Sequence, residues 1–321
     1  GDALPVGRKA FVQTLLGAHF LGGVINISAV MIIGDRLARA RGELGRPCGR
    51  LLSRSFSAAA LWSPFFAAMA TVLVYSPGAE FSRLLIAGAP LAACAMVYTY
   101  LAAEIRDDLD NFYGYPIRRE SLFVPAVLAI AVFSTHLLWP QWSVLTVIMM
   151  VAPGLTVIIL TARTGVRGAG FMLWEHVGGR LPTMGSELSL FLAAGVLAVG
   201  LTEALASLGA WTPFEVLNAN TATLTLVVVV ALAALGLHPV ISIATIGAAL
   251  APLDPDPNLL ATVFLMGWGV GVTASPLSGI HLILQGRYHL SATRLAQGNW
   301  LYVLTMLGLC AVVLQIYERL V

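Results

Sequence analysis

The chain has 321 residues, 58% of them hydrophobic and 11% charged, with a mean hydropathy of +0.86. A soluble domain carries about 25% charged residues, so this composition excludes one and marks an integral membrane protein. Its 18 Lys and Arg nearly balance 16 Asp and Glu, which gives no charge argument for a nucleic-acid partner, and none is expected.

The chain opens on Gly-Asp, and Arg8-Lys9 precede an apolar run without a small-residue cleavage site, so no signal peptide is read. Residues 8–41 begin with Arg8-Lys9, pass Gly22-Gly23-Val24-Ile25-Asn26-Ile27-Ser28 and end in Arg36, Arg39 and Arg41. A re-entrant hairpin with its tip at 22–28 keeps both basic ends in the cytoplasm, as the positive-inside rule prefers. A single spanning helix with Gly22-Gly23 as its packing face is the alternative. Helices that would precede this hairpin are expected to be missing from the sequence.

Spans close to the ~20 residues a bilayer needs are predicted at 55–75, 83–104, 121–138, 142–162 and 185–206. A second hairpin is predicted at 207–236, a short apolar helix at 239–251, and further spans at 258–286 and 299–317. The second hairpin is placed by the polar stretch Asn218-Ala219-Asn220-Thr221-Ala222-Thr223 ahead of Leu226–Leu232. Polar non-helical backbone at membrane depth survives only where it is buried in protein or lines a wet cavity. The free N–H groups of a helix start suit an anion, and turn carbonyls with Asn or Thr oxygens suit a small cation. This stretch is therefore read as half of a solute site.

The charges agree with that topology. The loops 34–54, 105–120, 163–184 and 287–298, together with Arg8 and Lys9, hold every basic residue except Arg83 and Arg319. The opposite loops hold Glu80, Glu215, Asp254 and Asp256, with Trp139, Trp142 and Trp211 at interfacial positions. The expected location is a bacterial inner membrane, with the N-terminal end cytoplasmic and the C-terminus outside.

Two segments echo each other, Trp62-Ser63-Pro64-Phe65 and Ala274-Ser275-Pro276-Leu277-Ser278. The interval from Pro64 to Pro276 matches the interval from Arg83 to Arg294 to within one position. Asn220 follows Asn26 at a shorter interval, a difference assigned to an insertion at Pro252–Asn258. In the predicted topology the first Ser-Pro crosses outward and the second inward. Inverted repeats with Pro-broken helices and a midplane site characterise secondary transporters. The fold class is thus an all-α polytopic membrane protein with two inverted repeats, each holding a re-entrant hairpin and a Pro-broken helix. Residues 1–120 form the first repeat, 121–206 scaffold helices, and 207–321 the second repeat.

Asn218–Thr223, Ala234-Leu235-Gly236-Leu237-His238-Pro239, Ala274–Ser278 and Arg294-Leu295-Ala296-Gln297-Gly298-Asn299 resemble motifs of the divalent anion:sodium symporter family within the ion transporter superfamily. The resemblance covers 8–104 and 207–317 and is strongest in the second half. It implies a sodium site between each hairpin tip and the unwound turn of its own repeat, with substrate carboxylates between the tips. Carried onto this sequence, the substrate would meet Asn26, Ser28, Ser63, Asn218, Asn220, Thr221 and Ser278, and Na⁺ would meet Asn220, Thr221, Thr223 and Ser275. The chain departs from the family pattern at Ala219, where the motif has Ser, and at Ser275–Ser278, where it has a double-proline turn.

Proton coupling is the alternative, through His281, His19 or Glu187, since an ionisable residue within a membrane is a functional candidate. His136 and His238 fall at predicted span ends and read as interfacial. Cys48, Cys94 and Cys310 have no metal or disulfide spacing and read as packing residues. No HExxH, GxSxG or glycine-rich phosphate loop is present, so no enzymatic activity and no cofactor beyond a coupling ion is expected. The expected function is a secondary active transporter of a small organic anion coupled to Na⁺ or H⁺, with lipid and the anionic solute as partners. A homodimer, or a complex supplying the missing helices, is expected. A non-transporting structural subunit and a membrane-embedded transferase are the alternatives.

Overall fold

The computed structural model describes residues 4–117, 119–139, 141–180, 182, 185–207 and 212–320. Arg118 and Trp211 lie outside these residues, as do the side chains of Arg119, Arg180 and Glu187. The described chain is helical, with one isolated antiparallel bridge between Val6 and Tyr113.

Its first half holds α1 (Arg8–Ile25), α2 (Ile27–Arg41), α3 (Arg46–Ala59), α4 (Ala67–Tyr75) and α5 (Phe81–Arg106). Next come α6 (Arg119–Leu138), α7 (Val144–Arg180) and α8 (Gly185–Ser207). The last part holds α9 (Ala219–Ala234), α10 (Pro239–Leu250), α11 (Pro257–Ala274), α12 (Gly279–Tyr288), α13 (Ala292–Gly298) and α14 (Trp300–Leu320). Four stretches, Phe81–Arg106, Val144–Gly179, Pro257–Tyr288 and Trp300–Leu320, are long and apolar enough to cross a membrane. That is what an integral membrane protein requires.

A helix apolar on every side belongs in the core, and α11 is one: Asn258 through Thr273 are all buried, against α9, α3, α14, α4 and α5. In contrast, α7 and α8 turn large apolar side chains outward, among them Met149, Met150, Ile158, Leu192 and Val196. Outside a bilayer, an apolar surface of this kind would be an aggregation liability.

Polar contacts distinguish the two ends of the bundle. At the basic end Arg8 pairs with Glu104 at 2.9 Å, Arg50 with Asp107 at 2.7 Å and Arg287 with Asp35 at 2.7 Å. There Arg41 lies 4.5 Å over the ring of Tyr113. At the opposite end Glu80 N–H donates to Asn258 Oδ1 at 2.7 Å, Tyr317 Oη to Asp256 at 3.0 Å and Ala219 N–H to Glu318 at 3.2 Å. The 26-residue α5 joins the ends, a length of about 39 Å at 1.5 Å per residue.

Helices α1 and α2 part at Asn26, whose φ of 55° and ψ of −140° no helix contains; Asn tolerates positive φ better than most residues. The outer ends of both helices lie against residues 104–115. Proline breaks the next two helices, because it has no N–H to donate and its ring clashes with the preceding turn. Pro64 separates α3 from α4, and Pro276 separates α11 from α12.

The second predicted hairpin is corrected. Asn220 is not a tip: α9 runs unbroken from Ala219 to Ala234, and the turn lies at Leu235–His238. The local chemistry accounts for this. Asn218 accepts from the N–H groups of Asn220 and Thr221, and Thr221 Oγ1 accepts from Asn218 N–H, a capping box that starts a helix. At the other end Gly236, at φ +99°, closes a Schellman motif in which Leu237 N–H reaches Leu232 O and Gly236 N–H reaches Ala233 O. The loop assigned to 34–54 is also shorter than expected, since α3 begins at Arg46 with Pro47 in its first turn.

With the turn placed at 235–238, the spacing becomes uniform. The helix starts Arg8, Ile27, Arg46, Ala67 and Phe81 of α1 to α5 correspond in order to Ala219, Pro239, Pro257, Gly279 and Ala292 of α9 to α13. Every one of these pairs is separated by the same interval to within one position. The insertion invoked to reconcile Asn26 with Asn220 is not needed.

Candidate functional site

The two proline breaks and the two helix turns meet in pairs. Ser63 Oγ donates to the carbonyl of Gly23, just before the Asn26 turn, and accepts from Phe65 N–H at 3.2 Å. At the other break, a Cβ on Gly236 would lie 2.8 Å from Leu277, and the His238 ring stands edge-on to Trp268 at 5.7 Å. The breaks are themselves joined. Helix α11 lies against α3, where a Cβ on Gly269 would stand 3.4 Å from Ser57 O and 2.9 Å from Leu61 just beyond the helix, and Ser53 of α3 meets His281 of α12 at 2.7 Å.

Both buried histidines are fully engaged. His281 Nδ1 lies 2.8 Å from the carbonyl of Ser275, which can only accept, so Nδ1 donates and Nε2 accepts from Ser53 Oγ. His19 Nδ1 likewise donates to Ser55 O at 2.9 Å, and Nε2 accepts from Trp62 Nε1–H at 2.9 Å. Protonation separates the two. A proton on His19 Nε2 would face the indole N–H, which has no acceptor capacity. The Ser53 hydroxyl can rotate and accept from a protonated His281. His281 is therefore the ring whose hydrogen-bond partners fit both protonation states.

The expected cation ligands do not converge. Asn220, Thr221 and Thr223 stand at the start of α9, where Gln315 Nε2 donates to Asn220 Oδ1 at 2.9 Å and Thr223 Oγ1 donates to Ala219 O at 2.7 Å. Ser275 lies near the opposite end of the same helix, about 24 Å away along 16 residues. Asn218 and Asn220 likewise stand at the start of α9 beside Glu318 and Gln315, whereas Ser63 bonds the carbonyl of Gly23 just before Asn26, and Ser278 follows the Pro276 break. Ser28 is exposed; Ser278 is buried, and its hydroxyl has no partner among the described residues. Asn218→Ala is expected to remove the α9 cap and cost about 1 kcal/mol of stability. The measurement is the thermal midpoint of the detergent-solubilised protein, with Asn220→Ala, which loses only the Gln315 contact, as the milder comparator.

Sequence reasoning missed Arg54, counting it with the loop cations. It is 4% exposed in the third turn of α3. Its Nε donates to Asn299 Oδ1 at 2.8 Å and its Nη2 to Gly298 O at 3.2 Å. The guanidinium carbon lies 5.7 Å and 5.2 Å from the ring centroids of Tyr98 and Tyr302. Among the described residues no carboxylate pairs with it. An unpaired charge removed from water costs several kcal/mol, offset here only in part by these contacts. The signal in the sequence was the spacing Arg46, Arg50, Arg54, which puts three cations on one helical face.

At the rim, Asp35 accepts from Arg287 Nε and Nη2, both at 2.7 Å, and from Tyr288 Oη at 2.8 Å. This links α2 to α12. The guanidinium holds the Asp35 carboxyl down at about 2. Because the pKa is depressed on folding, the link is in force at neutral pH and is lost only as pH falls through that value.

No protein-family model matches the chain, and a search of curated proteins finds no relative.

Proposed function

We propose that the chain is a secondary active transporter that moves a small organic anion, a carboxylate or similar oxyanion, by alternating access with proton coupling. The observation that carries this reading is the matched series of helices, α1 to α5 against α9 to α13, whose starts keep one interval throughout. Its members run in opposite senses: α3 starts at the basic end beside Asp107, and α11 starts at the other end beside Glu80. Each series lays a helix turn on a proline break. Inverted repeats with discontinuous helices facing a central site are the architecture of alternating access.

In this reading α1–α2 and α9–α10 are re-entrant hairpins, and the basic end faces the cytoplasm. The stretch Asn218–Thr223, the strongest part of the family resemblance, caps a helix away from the breaks, so the architecture supports the reading and that motif does not. Proton coupling is favoured over sodium because His281 bridges the two broken helices and accommodates either protonation state, while the expected sodium ligands are dispersed.

The test is uptake into proteoliposomes over a panel of di- and tricarboxylates, under an imposed pH gradient or an imposed Na⁺ gradient. The pH gradient is expected to drive accumulation of at least one of them, and the Na⁺ gradient to add nothing. Accumulation that follows Na⁺ alone would move the coupling to sodium. Failure of every anion under both gradients would overturn the transport reading in favour of a structural subunit.

A further inference from the structure

Helix α3 presents Arg46, Arg50 and Arg54 at intervals of four residues, so their side chains rise along one face in steps of about 6 Å. The first is exposed, the second half-buried and the third buried. Two cavities follow this face. The outer one, about 140 Å³, is lined by Arg46, Arg50, Arg294, His289 and Ser291, with no carboxylate. The inner one, about 10 Å³, is lined by Arg50, Arg54, Arg106 and Asp107 among others. Arg50 borders both. The single carboxylate there, Asp107, already pairs with Arg50 at 2.7 Å. The inner end therefore holds three guanidinium groups against one carboxylate among the described residues, with Arg54 nearly removed from solvent.

We propose that Arg46, Arg50 and Arg54 form a binding ladder for a small multivalent oxyanion, taken up in the outer cavity between Arg46, Arg50 and Arg294 and passed inward by Arg50, which borders both cavities, to Arg54. This rests on the anion-transport reading and adds to it the groups that hold the solute's charge on the basic side. A planar guanidinium matches a carboxylate or phosphate with two parallel N–H donors. The inner cavity has room for about one water, so the larger outer cavity is the receiving site here. Tyr98 and Tyr302, flanking the guanidinium of Arg54, hold it in place for the arriving anion.

Binding is measured at equilibrium without any gradient, as the shift in thermal midpoint of the full chain in detergent on titration with succinate, citrate or inorganic phosphate. At least one of these is expected to stabilise the native protein. Arg54→Gln, which removes the charge at the inner end of the ladder, is expected to weaken its apparent affinity about threefold, and Arg54→Lys, which keeps the charge but loses the fork, by less. Arg46→Gln and Arg294→Gln change exposed side chains and report even if the Arg54 variants fail to fold; each is expected to weaken binding several-fold. Unchanged affinity in these variants, or no stabilisation of the native protein by any of the three anions, overturns the proposal. So does stabilisation by phosphatidylglycerol alone, which would make the outer cavity a lipid-headgroup site. Uptake that survives Arg54→Gln would remove the ladder and leave the transport reading standing. Arg54-dependent binding without uptake in the native protein would do the reverse.

Discussion

Gly88→Ala is expected to prevent folding or to destabilise the protein severely. A Cβ at this position in α5 would lie 1.8 Å from the carbonyl oxygen of Leu61 and 2.8 Å from its carbonyl carbon. Those are backbone atoms of the Ser63-Pro64 break, so no rotamer change relieves the clash. Helix α5 and the break would have to separate, and overpacking that moves backbone costs about 3 kcal/mol or more. The separation would also disturb Ser63 and its bond to Gly23. The measurement is the yield and thermal midpoint of the purified variant. Gly308→Ala in α14 is the control: a Cβ there meets nothing within 4 Å, and the exchange should be neutral or stabilise by up to about 1 kcal/mol. Equal behaviour of the two variants would mean that α5 does not pack on the break this closely.

His281→Gln is expected to leave a folded protein that exchanges anion for anion but no longer accumulates it under a pH gradient. Glutamine has both a donor and an acceptor to offer Ser275 O and Ser53 Oγ, and it does not titrate. His281→Leu removes both partners and leaves buried polar atoms unpaired, at about 1–3 kcal/mol for each, so it should lower the thermal midpoint as well. His19→Gln is the comparator. Its ring faces the Trp62 N–H, and its loss should reduce stability without uncoupling transport. The Asp35–Arg287 link does not complicate the assay, because a carboxyl titrating at about 2 stays ionised across the working range. Proton-driven accumulation that persists in His281→Gln would remove this residue from the coupling path.

Much of the architecture was legible from local chemistry. Pro64 and Pro276 break their helices whatever surrounds them, because the missing N–H and the ring clash are covalent facts. Runs such as Leu84–Tyr100 and Leu301–Leu314 are helical and apolar on composition alone. The common interval could be read from the two prolines and from Arg83 and Arg294 before any helix was placed. That interval also argued against Asn220 as a tip, since applied to Asn26 it points to Leu237 or His238, within the 235–238 turn.

What only the tertiary structure decided is how polar groups are used. Asn-Ala-Asn-Thr can line an unwound tip or cap a helix, and the sequence does not separate the two, because the same side-chain oxygens serve a cation or a backbone N–H equally well. The outcome depends on which atoms stand opposite: Glu318 and Gln315 face this stretch, and Ser275 does not. Arg54 makes the same point in reverse. A guanidinium beside a basic loop reads as solvated, and its burial between Tyr98 of α5 and Tyr302 of α14 follows from contacts with helices remote from it along the chain. Periodicity set the helices and their breaks. Long-range packing set which polar groups meet, and so which side chains can hold a charge away from water.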